Sequence, residues 1–260
     1  LRNRIKNKMV RPTTIPQTLD ELQIEQAIAR EALRLALIHH KSLATGLKGI
    51  QQERTISDVF EQQTSGKSLV DMLKLDLIVG SGGILSHAPR RIQSMLMMVD
   101  AYEPLGLTML SVDSIFMMPH LGVLSTINEK AATDVFVRDC MVYLGTCVAP
   151  IGQLKDGERL ADYEITFPDG RVVKDQLKMG ELRLFPLGLN QRAKLTMQPA
   201  KTVNLGQGVG APVSRDVQGG VVGLLLDGRG RPLQLPVDEP ARVAALTKWF
   251  NAVDLYPKGS

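Results

Sequence analysis

The chain has 260 residues, of which 44% are hydrophobic and 22% charged, and its formal net charge is +4 at pH 7. This composition excludes a disordered or fibrous protein, and no apolar run approaches the ~20 residues of a membrane-spanning helix. Residues 1–11 hold five of the cations and no acid, so the rest of the chain is close to neutral. These features predict no nucleic-acid partner and no membrane partner. For the basic arm, a solvated terminus is favoured over a contact to phosphates or a membrane surface.

The first half of the chain predicts alternating helices and strands. Thr18 and Glu21 have the spacing of a capping box at the start of a helix over residues 18–40. Its apolar stripe is broad enough to predict burial on more than one side. Further along the chain, apolar periodicity and turn residues predict a helical region at 53–74, a strand at 75–79 and a helix from near Ser86. A strand at 107–112, a turn at Pro119–Gly122 and a helix capped by Asn128 that runs to 139 are predicted next. This order predicts an α/β architecture.

The sequence pattern changes after Pro150. Short apolar runs alternate with Gly, Pro and Asp up to about residue 236, a pattern typical of β-structure. The pairs Asp169-Gly170 and Asp227-Gly228 predict hairpin turns, and a last helix is predicted over 239–253. We therefore predict an α/β half at 1–150, followed by a mostly β domain at 151–260 that ends in a helix.

The two cysteines, Cys140 and Cys147, exclude a disulfide scaffold and predict a reducing compartment, the cytoplasm. Their apolar neighbours predict buried, inert thiols rather than a redox pair. The four histidines and two cysteines lack the spacing of metal ligands, so no metal site is predicted. No catalytic residue is predicted either, because the sequence has no nucleophile elbow and no P-loop.

The sharpest local feature is the run of residues 75–90, LDLIVGSGGILSHAPR, in which a predicted strand enters a glycine-rich turn before a helix. Glycine at positions 80, 82 and 83 lets a ligand approach the backbone closely, and a helix start presents free N–H groups to a phosphate or a purine edge. A purely structural turn between strand and helix is the alternative. The carboxylates Asp100, Glu103 and Asp113 surround this region in sequence, and for each of them capping or ion pairing is favoured over ligand binding.

A second glycine-rich stretch covers residues 204–210, NLGQGVG, and DGRGRP follows at 227–232. Glycines in strands indicate bulges, sharp corners or close backbone contact. Arg229 and Arg231 are candidates to grip an anion or the carboxylates of a partner. A β-turn carrying solvated arginines is the favoured alternative.

Taken together, five segments resemble the C-terminal part of the glutamate-mutase-associated MutL proteins, which are distinct from the mismatch-repair proteins of the same name. The segments are VGSGGILSHAPR, EPLGLTMLSVDSIFMMPHLGVLS, YLGT, LGQGVG and GGVVGLLLDGRGRPLQLP. The resemblance runs from about residue 13 to residue 253. It implies part of an RNase-H-like lobe of the actin, sugar-kinase and heat-shock ATPase superfamily, with an appended C-terminal β-rich domain.

The resemblance also implies a function. Members of this family are thought to act as ATP-dependent chaperones or reactivating factors for adenosylcobalamin-dependent mutases. Gly80, Ser81, Gly82 and Gly83 match the adenosine loop of the superfamily, with Ile84 beside the base. ATP or ADP with Mg is therefore the implied cofactor of the whole protein. The two phosphate loops have no counterpart in this sequence and would lie upstream of Leu1, so we expect no ATP hydrolysis by this chain alone.

The implied partner is an adenosylcobalamin-dependent mutase of the glutamate mutase type. The β-rich half has no counterpart in a minimal actin-like core, so it is the candidate partner-binding module. Its candidate contact residues are Gly206, Gly208, Gly210, Arg229 and Arg231. Two alternatives stay open at this point: a non-catalytic scaffold with an idle nucleotide fold, and a small-molecule enzyme of the sugar-kinase type.

Overall fold

The computed structural model describes residues 1–43 and 70–257 of the chain. These residues form seven α-helices: α1 (Arg2–Val10), α2 (Leu19–Leu43), α3 (Gly83–Ser86), α4 (Arg91–Tyr102), α5 (Met118–Ser125), α6 (Glu129–Val135) and α7 (Glu239–Ala252). They also form nine strands: β1 (Leu77–Gly80), β2 (Gly106–Asp113), β3 (Met141–Ala149), β4 (Arg159–Thr166), β5 (Val172–Lys178), β6 (Leu182–Phe185), β7 (Arg192–Pro199), β8 (Val213–Gln218) and β9 (Leu224–Asp227).

The strands build one mixed sheet and one antiparallel sheet. The five-stranded sheet has the order β1-β2-β3-β9-β6, in which β1 lies parallel to β2 and β3 parallel to β9. The four-stranded sheet has the order β5-β4-β7-β8 and is antiparallel throughout. The α/β prediction is confirmed at this level. Strands β6 and β9 follow residue 150 yet complete the first sheet, so that sheet draws on both sides of the predicted boundary.

The five-stranded sheet is the middle layer of three, because both of its faces are buried. Leu225 of β9 packs into a core that the sheet shares with α4 and α7 and that α2 borders. Its neighbours Leu224 and Leu226 point the other way, into a core between the two sheets. A strand buried on both faces has an unbroken apolar sequence, and LLL in β9 is such a run. The middle layer therefore holds the β1 edge and the β9 turn in fixed positions.

Helix α2 begins at the predicted capping box. The Glu21 amide donates to Thr18 Oγ1 at 3.2 Å, and the Gln17 amide donates to Glu21 Oε2 at 2.8 Å. The expected burial on several sides is wrong, because the helix buries only Gln26 and Ala29 and leaves Leu35 half exposed. One face of α2 packs on α4 and the other faces solvent.

Most other elements follow the sequence predictions. The predicted strands at 75–79 and 107–112 are confirmed as β1 and β2, and the Asn128 cap is confirmed because its side chain accepts from the Ala131 amide. The Asp169-Gly170 hairpin is confirmed between β4 and β5. The last helix is confirmed as α7, with Asp238 as its cap.

Three local predictions are wrong. The helix expected to start near Ser86 starts at Arg91 as α4, and Ser86 is instead the last residue of the one-turn helix α3. The turn expected around Pro119 is helix α5. Asp227-Gly228 is no hairpin, because β9 ends at Asp227 and the next element is α7.

The predicted helical region at 53–74 lies largely outside the described residues, and its end, Met72–Lys74, forms a 3₁₀ turn. No helix in the described ranges has the length and hydrophobicity to cross a bilayer.

Candidate functional site

The glycine-rich turn follows the carboxyl end of β1, where β1 lies parallel to β2. Gly80 pairs with Val112 and is buried, and a Cβ there would contact Leu85 and Met98 within 3.0 Å. Gly80 is thus a packing residue. Gly82 has φ +106° and ψ 150°, a conformation that essentially only glycine adopts. A Cβ at Gly82 or Gly83 would meet no atom within 4 Å, so a ligand has room to approach the backbone at these two positions.

The turn is polar at Ser81. Its Oγ is buried and has no hydrogen-bond partner among the described residues. A buried hydroxyl without a partner costs free energy, so this atom favours a bound polar group. Asp113, at the end of neighbouring β2, differs from Ser81 because both of its side-chain oxygens already have a partner. Its carboxylate accepts from the Met118 amide at 2.9 Å and from the Ile115 amide at 3.3 Å.

A cleft of about 780 Å³ opens beside the turn. Gly83 and Ile84 lie on one wall with residues 87–89, and α2 forms the opposite wall together with the segment from Pro12 to Leu19. The cleft lies within the range of small-molecule sites, roughly 300–1,000 Å³, and like them it has a mostly apolar lining. The structure therefore brings Gly83 and Ile84 to a cavity. Gly80, Ser81 and Gly82 do not line it.

The expected anion site at a helix start is weakened. Helix α3 has one turn, and the amides of Leu85 and Ser86 both donate to the Gly82 carbonyl, at 3.0 and 2.9 Å. The described residues also contain no group of three or more His, Cys, Asp or Glu side chains that could hold a metal ion. The amides of Leu85 and Ser86 are therefore committed within the helix turn.

The second glycine-rich stretch is an exposed loop between β7 and β8. Asn204 organises it, because its Oδ1 accepts from the amides of Gly206 at 2.8 Å and Gly208 at 3.1 Å. Gly206, Gly208 and Gly210 all have positive φ, which explains their residue type. Gly206 also lines a polar cleft of about 390 Å³ together with Arg215 and Asp216 of β8. Gly206 and Gly208 are exposed.

Arg229 and Arg231 are not solvated. They are 4% and 3% exposed, and both bind Asp227, which is fully buried. Arg229 holds Asp227 in a bidentate pair at 2.9 Å through Nε and Nη2, and Arg231 Nη2 donates to the same carboxylate at 2.6 Å. The favoured turn with solvated arginines is therefore wrong. Because these guanidiniums are committed inside the protein, a partner's carboxylate does not reach them in this conformation.

The ion pairs continue into the helices. Arg229 Nη1 lies 2.8 Å from Asp100 Oδ1 of α4, and Asp100 Oδ2 accepts from Arg30 Nε of α2, also at 2.8 Å. Arg229 also stacks its guanidinium over the Trp249 ring, 5.2 Å from the centroid. The sequence reasoning missed Arg30 and its role. Gln26 and Arg30 are polar residues four positions apart beside the apolar stripe of α2, and that spacing is a usable signal of a buried polar contact.

Burial and charge act against each other in this cluster. Burial alone would raise the pKa of the Asp227 carboxyl, but the charges of Arg229 and Arg231 outweigh it and hold that pKa well below its usual range. Burial would lower the pKa of Arg229, and the carboxylates of Asp227 and Asp100 instead raise it. Asp227 and Arg229 are therefore both ionised near neutral pH.

The remaining candidates have structural roles. Glu103 accepts from the Leu233 amide at 2.9 Å, so capping and pairing are confirmed for Asp100, Glu103 and Asp113. Both cysteines are buried and free, as predicted. Burial raises the pKa of Cys147 to about 12, which keeps this thiol protonated and inert.

Comparisons with known proteins give one match. A family model described as MutL protein matches residues 1–140, just over half of the chain. The matched residues include α2, the glycine-rich turn and the cleft between them. The curated proteins and the solved structures yield no match.

Proposed function

The chain belongs to the MutL protein family, and from that premise we propose that it acts in an ATP-dependent chaperone or reactivating factor for an adenosylcobalamin-dependent mutase of the glutamate mutase type. Such mutases become trapped with damaged cofactor. A reactivator must loosen the mutase so that the inactive cofactor leaves. In this proposal the chain supplies the adenosine side of the nucleotide site and the surface that meets the mutase.

One observation carries the proposal: the glycine turn after β1 has open space at Gly82 and Gly83 and borders a cleft of about 780 Å³. An adenosine group would approach the backbone at Gly83, with Ile84 available as an apolar neighbour of the base. Ser81 Oγ, buried without a partner among the described residues, would gain one if the turn adjusted around the ligand. These residues fit a nucleoside. They do not include ligands for the phosphates or for magnesium, so we derive no hydrolytic step from them.

The mutase-binding role rests on different residues from those that bind the nucleotide. The exposed loop with Gly206, Gly208 and Gly210 remains our proposed contact. Arg229 and Arg231 would act indirectly, by fixing the end of β9 rather than by touching the mutase. Nucleotide can drive release only if the mutase prefers one nucleotide state, a coupling of typically ~1–3 kcal/mol.

A scaffold role is the second candidate. It would need only an exposed contact surface, such as the loop with Gly206 and Gly208, and no bound nucleotide. In that case the chain would assemble mutase subunits, and its nucleotide fold would be idle. Nucleotide-dependent release of the mutase separates the two candidates, because a scaffold holds its partner equally with and without ATP.

Thermal melting with and without Mg-ADP, Mg-ATP, Mg-GTP and cobalamin tests the nucleotide site. At 100 times its Kd, a ligand stabilises by ~2.7 kcal/mol, which raises the Tm of a chain of this size by roughly 5–10 °C. We expect this shift with adenine nucleotides and none with GTP.

Gly83→Val is the diagnostic variant, since its side chain would occupy the open space where the ligand approaches. Gly122→Val is its control, because Gly122 is also a helical glycine with nothing within 4 Å of an added Cβ. The Gly83 variant should lose the nucleotide shift and the control should keep it. Equal shifts with ATP and GTP, or an unchanged shift in Gly83→Val, would remove the adenosine site from the proposal. If no nucleotide shifts the Tm, the scaffold role becomes the working hypothesis.

A further inference from the structure

The ion pairs around Asp227 form an alternating chain with a cation at each end, buried at Asp227, Arg229 and Arg231 and partly exposed at Arg30 and Asp100. The order is Arg30, Asp100, Arg229, Asp227, Arg231. Three guanidiniums thus share two carboxylates. In a chain of this kind, each terminal cation has only one carboxylate neighbour and needs further acceptors.

The two ends differ in how they are satisfied. At one end, Arg231 donates to the carbonyls of Pro104 at 3.2 Å and Gly230 at 2.9 Å. At the other end, Arg30 uses Nε for Asp100, and its Nη2 is buried without a hydrogen-bond partner among the described residues. The ion chain therefore ends on α2 at a guanidinium with one nitrogen, Nη2, that has no hydrogen-bond partner among the described residues.

Arg30 lines a cleft of about 620 Å³ between α2, α7 and the segment after β9, and its side chain is 16% exposed. Apolar side chains dominate the far wall: Leu233, Leu235, Val243, Leu246, Trp249 and Phe250. Arg30 lies over the Phe250 ring, 6.0 Å from its centroid. Tyr256 also lines the cleft, but its hydroxyl is committed to Gln26 Oε1 at 2.8 Å.

The other charged groups on the cleft already have partners. Arg34 and Glu31 form a two-point pair at 2.7 and 2.9 Å. Glu103 accepts from the Leu233 amide. Among the charged side chains that line this cleft, the Arg30 guanidinium is therefore the group with a donor left for a ligand, and the apolar wall favours an apolar body.

We propose that this cleft binds a small organic acid, with its carboxylate on Arg30 and its apolar part against α7 and Leu233–Leu235. A carboxylate at Arg30 would complete the ion chain with a third anion and form a charge-assisted hydrogen bond. The apolar walls would exclude highly hydrated anions such as sulfate. The site is separate from the glycine-rich turn, and the two clefts share no lining residue.

Trp249 gives a direct readout, because it is the chain's single tryptophan and lines the cleft. Titration with hexanoate should give a saturable change in tryptophan fluorescence. 1-Hexanol has the same carbon chain without the charge, and it should bind at least roughly tenfold more weakly, since a hydrogen bond to a charged group contributes ~1.5–3 kcal/mol. A change that never saturates, or equal affinity for the two probes, would overturn the proposal.

Arg30→Met tests the carboxylate contact. It leaves two carboxylates paired with two guanidiniums, so we expect the variant to fold. Hexanoate affinity should fall by at least roughly tenfold, and hexanol affinity should stay the same. Unchanged hexanoate affinity in this variant would contradict the assignment.

Val243→Glu tests the cleft without touching the ion chain, since Val243 is 55% exposed on the apolar wall. It places a negative charge where the hexanoate chain would lie, and it should abolish the saturable signal. Val237→Glu is the matched control, because Val237 is 96% exposed and does not line the cleft. Retained binding in Val243→Glu, or equal loss in both variants, would exclude this cleft.

Discussion

Two glycine-rich regions adjoin the middle sheet, the turn after β1 at residues 80–83 and the segment before β9 at residues 219–223. Glycine leaves open space in the first and allows close backbone packing in the second. After β1, a Cβ at Gly82 or Gly83 would enter open space. Before β9, a Cβ at Gly219, Gly220 or Gly223 would lie within 3.0 Å of backbone atoms of neighbouring segments. The first region is open toward a cleft, and the second lets backbones pack without side chains between them.

The two glycine-rich regions also differ in the ionisable side chains beside them. The β1 turn, residues 80–83, carries no ionisable side chain, whereas the end of β9 leads directly into the buried ions Asp227, Arg229 and Arg231. A glycine-rich run is therefore ambiguous by itself. What lies opposite the missing side chain decides whether the run admits a ligand or seals a core.

The largest expected effect on stability comes from removing the buried negative charge of Asp227. Asp227→Asn would leave two buried guanidiniums without their shared anion, which should cost ~3–5 kcal/mol of unfolding free energy. Asp134→Asn is the control, because Asp134 pairs with Lys130 on an exposed helix face, where the loss should be at most ~0.5 kcal/mol. Urea unfolding of both variants measures the difference, and equal losses would mean that the buried cluster does not stabilise the fold.

The same carboxylate predicts a pH dependence. Its pKa in the folded protein lies below the usual value, whereas the unfolded chain takes up this proton near pH ~3.9. Below about pH 5 the unfolded state therefore binds more protons, and the Asp227 contribution is lost as the pH falls toward the folded pKa. The difference in unfolding free energy between wild type and Asp227→Asn should shrink from pH 7 to pH 3. A constant difference would show that this carboxyl does not titrate differently in the two states.

Gly220→Ala tests the close backbone packing between β3 and the segment before β9. The new methyl group would lie within 3.0 Å of the Leu144 carbonyl and the Gly145 amide nitrogen, so β3 has to move. Overpacking of this kind costs typically ~1–3 kcal/mol. Gly122→Ala, in open space on helix α5, should instead be neutral or stabilise by up to ~1 kcal/mol. Thermal melting of the pair gives the comparison, and a stable Gly220→Ala would mean that β3 and the 219–223 segment separate easily.

The sequence predicted the open region better than the closed one. A buried strand ending in consecutive glycines is a local signal, and β1 and its turn formed where that signal placed them. The burial of Arg229 and Arg231 depends on Asp100 and Arg30, which lie more than 100 residues earlier in the chain. No local pattern at DGRGRP distinguishes a solvated turn from a buried ion pair. Helix α5 was missed because Pro119 and Gly122 resemble a turn, although Pro fits the first turn of a helix.

Gly82→Ala tests whether the turn after β1 needs glycine for its backbone conformation or for space. Space is available for the methyl group, but φ +106° and ψ 150° are unfavourable for any residue with a Cβ, at a cost of about 1–3 kcal/mol. The expected loss has a conformational cause and no steric one. Ala and Val at position 82 should therefore destabilise by similar amounts in urea unfolding. A much larger loss for Val would show that the space beside Gly82 is closed.

Gly83→Ala should have the smallest effect on stability and separates folding from binding. Gly83 is the first residue of α3, its φ is not in the left-handed region, and its added Cβ meets no atom within 4 Å. The unfolding free energy should therefore change by no more than ~0.5 kcal/mol. If adenosine approaches the backbone here, the same methyl group should reduce the Tm shift that ADP gives, while Gly122→Ala leaves that shift intact. A Gly83→Ala protein that loses stability but keeps its ADP response would reverse the comparison, because this turn would then be a packed element like the region before β9.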